Sequence, residues 1–155
     1  MPCSAGERGE IWVRGEQVSG EYLDRLGTDD AGWFRTRDEG RLDDGGYLFV
    51  FGRMDDAIVR GGENLSPGEI EACLLEHPAV ADAAVFGMPD DQWGEAVAAA
   101  VVLAPGADAG VDELREHIRS RMRSACTPGR LEIRDSLPYN ETGKLLRREL
   151  RARTG

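Results

Sequence analysis

The sequence predicts an α+β protein: a small glycine-rich β segment followed by a compact C-terminal domain with a small sheet covered by helices. Three observations carry this. Short apolar runs bounded by glycine and aspartate fill the first third of the chain, as in GEIWVRG, GWFRTRD and GYLFVFGR, a pattern of short strands and hairpins. Two longer runs, AVADAAVFG and EAVAAAVVLA, stand side by side in the middle. Around them lie two segments whose apolar residues recur at helical spacing.

Taken in order, residues 1–53 read as strands and turns with few segments long enough to bury a core; this part either leans on something absent or forms a small sheet on the next domain. From residue 54 to 155 the pattern changes. DDAIVRGG reads as a strand ending in paired glycines, and SPGEIEACLLEHP as a helix. Ser66 stands at the cap, Pro67 at the first helical position and Glu69 at the spacing of a capping box, with Ile70, Cys73 and Leu74 on one face and His77-Pro78 closing it. The two valine- and alanine-rich runs are expected to pair as strands despite alanine's weak preference for sheet. Val111, Leu114, Ile118 and Met122 mark an amphipathic helix, RLEIRD a further strand, and a polar loop SLPYNETG leads to a short arginine-rich helix. The order β, α, β, β, α, β, α suits a small sheet covered by helices.

Composition narrows the function. With 155 residues, 41% hydrophobic and 31% charged, the chain has the make-up of a globular protein, and no apolar run approaches the ~20 residues that span a bilayer. MPCSAGERGE contains no apolar leader, so the expected location is the cytoplasm. The net charge of −10 argues against a nucleic-acid partner, which needs a basic face. Basic residues nevertheless crowd the C-terminal third, so an anionic ligand would meet that end. Cys3, Cys73 and Cys126 form no C-x-x-C pair and only His77 and His117 accompany them, which supports neither a metal site nor a disulfide framework.

Lys144, in NETGKLLRREL, is the only lysine beside eighteen arginines. A compact ammonium can contact oxygens of two groups at once, whereas the planar guanidinium suits one carboxylate or phosphate bidentately. A lysine in a glycine-containing loop thus points to a junction of carboxylate and phosphate; the alternative is an arginine-rich genome whose single lysine falls here by chance. Gly143-Lys144 is no P-loop, because Pro138 stands where the first glycine is required and Leu145 where serine or threonine is. A dinucleotide fingerprint is absent too, since no two glycines are separated by one residue.

Other candidates are less specific one by one. RGGENLSPGEIE offers paired glycines before a helix start, suited to a close ligand or to a plain turn. Asp38, after a strand, can accept bonds from two ribose hydroxyls or be a solvated loop charge. Arg147, Arg148, Arg151 and Arg153 read as a solvated helix face, with anion binding as the lesser alternative.

Together and in order, GWFRTRDEGRLDDGGYLFVFGRMDDAIVRGGENLSPGEIE, GMPDDQWGEAVAAAVV and LPYNETGKLLRREL resemble the C-terminal part of the adenylate-forming superfamily, and within it acyl-CoA synthetases of fatty or aryl acids more than peptide-synthetase adenylation domains or luciferases. The resemblance runs from Gly6 to Arg151. It implies that residues 1–53 are the tail of a large N-terminal domain and 54–155 the mobile C-terminal domain. It implies an ATP-dependent acid–thiol ligase that activates a carboxylic acid as acyl-adenylate and passes the acyl group to CoA. Implied site residues are Lys144 as catalytic residue, Asp38 and Arg53 on the nucleotide, Asp55 as hinge, and Gly61, Gly62 and Trp93 along the pantetheine path, with no metal ligand on this chain. Trp93 is equally explained as a half-buried packing residue.

Implied ligands are ATP or AMP, CoA and Mg2+, the metal held mainly by the N-terminal domain; implied partners are the carboxylic acid and that domain, with no nucleic acid and no membrane span. This chain alone is expected to be inactive. The alternatives are a stand-alone binding module without catalysis, or part of an adenylation domain that serves a carrier protein. Two departures stand out: Arg37 replaces the glycine usual before Asp38, and Cys126-Thr127 replaces the aromatic-lysine pair usual before Pro128.

Overall fold

The computed structural model describes residues 2–18, 21–22, 25–26 and 28–154. They divide into two compact units, residues 1–55 and 56–155.

In the first unit β1 (Arg8–Val13), β4 (Phe34–Leu42) and β5 (Leu48–Arg53) form an antiparallel sheet in the order β1-β4-β5. Between β1 and β4 lies a small ribbon of β2 (Glu21–Tyr22) and β3 (Arg25–Leu26), which the sequence pattern does not signal. The turn between β4 and β5 is made by DDGG: Asp43 Oδ1 accepts the amides of Gly45 and Tyr47 at 2.9 Å each, the local bonding for which aspartate is favoured in turns. A 3-10 turn, Met54–Asp56, follows β5.

The second unit contains β6 (Ile58–Arg60), β7 (Glu63–Leu65), α1 (Pro67–Leu75), β8 (Val80–Asp90), β9 (Gly94–Leu103), α2 (Val111–Arg119), β10 (Arg130–Ile133) and α3 (Arg147–Thr154). This is the element order expected from the residues with one strand added: the paired glycines do not end the strand at a loop but turn it back into β7, which pairs with β6. β8 and β9 form a long antiparallel hairpin with Val85 opposite Ala99, β10 runs parallel to β9, and β6 joins β9 through Arg60 and Gly94.

The absence of alternation in β8 and β9 has a simple cause: both faces of this sheet are covered. Val85, Val97, Ala99 and Val101 pack with Ile70 and Leu74 of α1 and Leu114 and Ile118 of α2. Their neighbours Ala84, Phe86, Ala98 and Ala100 point the other way and pack with Leu150 of α3 and with Leu137 of the loop that leads to it. Alanine therefore serves here for its small volume between a sheet and its covering helices.

Two local expectations need correction. Ser66 holds the N-cap position with Pro67 following, but its hydroxyl makes no side-chain cap bond. Met122 lies beyond the end of α2 and packs on the core from the subsequent turn. None of the helices formed by described residues is long and apolar enough to cross a membrane.

Candidate functional site

In the first unit, the β4–β5 register sets Asp38 directly opposite Arg53. Arg53 Nε lies 3.5 Å from Asp38 Oδ1, so two of the candidate nucleotide residues share one end of a hairpin. The Asp38 amide donates to Thr36 Oγ1 at 3.0 Å, and Thr36 Oγ1 donates to the Ile11 carbonyl at 2.8 Å. This chain of bonds ties the aspartate's backbone to β1.

Arg37 has φ +60°, and no other described non-glycine residue has a positive φ. That left-handed conformation costs an L-residue about 1 kcal/mol or more, which explains the use of glycine before such an aspartate. Arg37 Nη1 reaches Asp55 Oδ2 at 3.3 Å, with both side chains well exposed. Asp55 is the last residue of the first unit.

In the second unit, Gly61 and Gly62 have φ +58° and +83°. The turn lies on Trp93: the Gly61 amide donates to the Trp93 carbonyl at 2.8 Å. A Cβ on Gly61 would sit 3.0 Å from the indole. Arg60 lies over the same ring at 5.5 Å while its Nη1 donates to the Ala125 carbonyl at 2.8 Å. The indole is 44% exposed, so the ring is clamped by the glycine turn and the guanidinium and still open to solvent.

Lys144 sits in a loop organised by one side chain. Asn140 Oδ1 accepts from the Thr142 amide at 3.0 Å, the Thr142 hydroxyl at 2.8 Å and the Lys144 amide at 2.8 Å. The Asn140 amide donates to the Lys144 carbonyl at 2.9 Å, and Gly143 turns the chain at φ +79°. Tyr139 and Leu145 pair as an isolated bridge, and the Tyr139 hydroxyl donates to Asp82 Oδ2 at 2.7 Å. Burial, with the Asp82 carboxylate beside it, pushes the Tyr139 hydroxyl up to about 12, so it stays a donor at neutral pH. The backbone is thus pinned while the Lys144 side chain is exposed and forms no hydrogen bond or ion pair with a described residue.

Arg147 departs from the solvated-face reading of the last helix. Its side chain is only 22% exposed. Nη2 meets Glu71 Oε1 at 2.7 Å, Nη1 meets Asp56 Oδ2 at 3.4 Å, and Nε donates to the Val85 carbonyl at 3.2 Å. The Val85 amide donates to the same Glu71 oxygen at 2.8 Å. Burial raises the Glu71 carboxyl above its usual range although Arg147 and the Val85 amide pull it down. Arg153 pairs with Glu149 at 3.5 Å on the exposed side, as a solvated helix face would.

Residue reasoning missed Asn140, Arg60 and Arg147. The first had a signal, since asparagine opening a polar N-x-x-G stretch is a turn anchor. The arginines had none, because their partners are distant in the chain. No group of three or more His, Cys, Asp or Glu side chains that could hold a metal ion occurs among the described residues.

Comparison with known proteins places this geometry. The chain is 41% identical over 158 residues to 2-succinylbenzoate–CoA ligase of Bacillus subtilis, covering 99% of this chain and 32% of that protein. It is 48% identical over 122 residues to a fatty acid–[acyl-carrier-protein] ligase of Streptomyces coeruleorubidus, covering 79% and 24%. The solved o-succinylbenzoate CoA synthetase of Bacillus subtilis in complex with its acyl-adenylate intermediate matches with a TM-score of 0.84 and 39% identity, covering 96% of this chain and 31% of that one. The chain therefore spans about a third of the length of the curated relatives it matches. Residues 69–144 match the family of the AMP-binding enzyme C-terminal domain, and the chain belongs to the adenylate-forming superfamily as the counterpart of its C-terminal part.

Proposed function

We propose that this chain is the C-terminal portion of an ATP-dependent acyl-CoA ligase, with residues 1–53 closing a larger N-terminal domain and 54–155 forming the domain that swings. The observation that carries the reading is Lys144: an exposed ammonium with no partner among the described residues, on a loop whose backbone is pinned by Asn140.

In the first half-reaction a carboxylate oxygen of the acid attacks the α-phosphorus of ATP, the bond to the β-phosphate oxygen breaks, and pyrophosphate leaves. Negative charge builds on oxygens of both reactants. An ammonium between them stabilises that charge and fixes the line of attack. Asp38 would accept bonds from the ribose hydroxyls, with Arg53 beside it on the ribose or phosphate. Asp55 would be the hinge, a role suited to a residue at the boundary of the two units. In the second half-reaction the thiol attacks the acyl carbon and AMP leaves. Gly61 and Gly62, free of Cβ atoms, would line the pantetheine path, and the open face of Trp93 would stack near the CoA nucleotide. The described residues offer no cluster for Mg2+; the metal would be bound by the N-terminal domain along with the phosphates.

One relative favours a second acceptor. The 48%-identical ligase of Streptomyces coeruleorubidus is a fatty acid–[acyl-carrier-protein] ligase, so a carrier-protein thiol in place of CoA is the competing reading of the second half-reaction.

The test is ATP–pyrophosphate exchange by the full-length gene product with a panel of fatty and aryl carboxylic acids, followed by thiol capture with CoA or carrier protein. Acid-dependent exchange with at least one acid is expected. No exchange with any acid would favour a binding module without catalysis.

A further inference from the structure

The half-buried Arg147 connects two places to which the proposed function assigns separate tasks. It lies three residues after Lys144, at the start of α3. Its Nη1 partner, Asp56, is the first residue of the second unit. The remaining donors reach Glu71 on α1 and the Val85 carbonyl on β8, so one planar group is held in three directions. Only arginine offers donors in such a fork; a lysine ammonium would satisfy one or two of these acceptors. Between Arg147 and the loop the backbone is short and bonded, since the Leu146 amide donates to the Pro138 carbonyl at 2.8 Å.

We infer that Arg147 is the positioning residue of the lysine loop, locking the base of that loop to Asp56 so that Lys144 is carried as a rigid extension of the segment leaving the hinge. The inference rests on the roles proposed above for Lys144 and Asp55. Its physical content is tolerance: a misplacement of about 1 Å in a reacting group can lower a rate about 100-fold, and a lysine stem is flexible enough to be misplaced unless its anchor is fixed. A stabilising role alone would not require charge here, because well-packed apolar residues commonly replace a buried ion pair at no loss.

The experiment uses the full-length ligase and Arg147→Lys, alone and with Lys144→Ala. Alone, it is expected to lower the turnover of adenylation about 30- to 100-fold while KM for ATP and acid stays within about threefold. In the Lys144→Ala background it is expected to change adenylation less than about twofold, since a residue acting through the lysine has nothing left to act on. Asp56→Asn, a milder break of the same network, is expected to lower turnover about tenfold with the same dependence on Lys144, and decides the matter if Arg147→Lys does not fold. Turnover within threefold of the parent in both single variants, or equal losses with and without Lys144, would overturn the inference. A Lys144→Ala protein that adenylates normally would instead remove the role of the lysine, and this inference with it.

Discussion

The two units are built on different physical terms. Every fully buried apolar side chain among the described residues lies between Ile58 and Leu150. The described residues of the first unit include none; Tyr47 stands open just before β5, and Leu48, Phe49 and Val50 stand open along it. What holds its sheet is the hydrogen-bonded ladder and arginines stacked on aromatic rings: Arg8 on Phe51 at 4.4 Å, Arg14 on Trp33 at 4.7 Å, Arg35 on Trp12 at 5.1 Å and Arg41 on Phe49 at 5.3 Å. Such contacts contribute about 0.5–1 kcal/mol each where exposed, against about 1.5–3 kcal/mol for burying one large apolar side chain. The lysine mount therefore rests on a self-sufficient core, and the Asp38–Arg53 hairpin does not.

The difference should survive separation of the two units. Residues 56–155 alone are expected to keep a cooperative thermal transition by circular dichroism, and residues 1–55 alone to show none. A cooperative transition in 1–55 would contradict the contrast.

Truncating one phenylalanine in each unit should show the same difference. Phe86→Ala, in the packed layer under α3, is expected to cost about 3–5 kcal/mol in denaturant unfolding of the whole chain. Phe49→Ala, on the open strand, should cost below about 1 kcal/mol, mostly its contact with Arg41.

Acid separates Glu10 of the first unit from Glu71 of the second by sign. The Arg35 bond, supported by Trp12, holds the Glu10 carboxyl below its usual range, so Glu10 contributes stability above the ordinary glutamate value of about 4.3 that is lost as pH falls through the lowered one. Glu71 is the reverse: burial raises its carboxyl, so its contribution is present below that ordinary value and is lost as pH rises through the raised one. The cost of Glu10→Gln, read by hydrogen exchange of β1 and β4 amides, should therefore be largest near neutrality and fade in acid. The effect of Glu71→Gln on unfolding of the second unit should run with the opposite slope.

The smallest effect expected is that of Arg37→Gly. It removes the left-handed strain at φ +60° but also the exposed pair with Asp55, so slower exchange of β4 amides by less than about 1 kcal/mol is the expected result.

How far the residues alone reach follows the same division. Most of the element order in the second unit is legible because its helices are periodic and its central strands β8 and β9 are long, and a sheet covered on both faces reads as continuous valine and alanine; β7, three residues after a glycine turn, is not. The β2–β3 ribbon is too short to carry a period. Lys144 is visible because composition isolates it, and Asp38 and Arg53 become a pair once two runs are seen as a hairpin. Arg147 is invisible because nothing in GKLLRREL distinguishes a half-buried guanidinium from the solvated ones beside it; its partners Asp56, Glu71 and Val85 are brought to it only by the fold. Arg37 shows the converse: the departure from glycine is plain in the sequence, and the backbone keeps the glycine-like conformation.

In the function proposed, the Lys144 ammonium serves the first half-reaction alone. In the full-length protein, Lys144→Ala should lower acyl-adenylate formation from acid and ATP about 10²- to 10³-fold, while thioester formation from supplied acyl-adenylate stays within about threefold of the parent. Equal loss in the two half-reactions, or no loss in the first, would contradict the account.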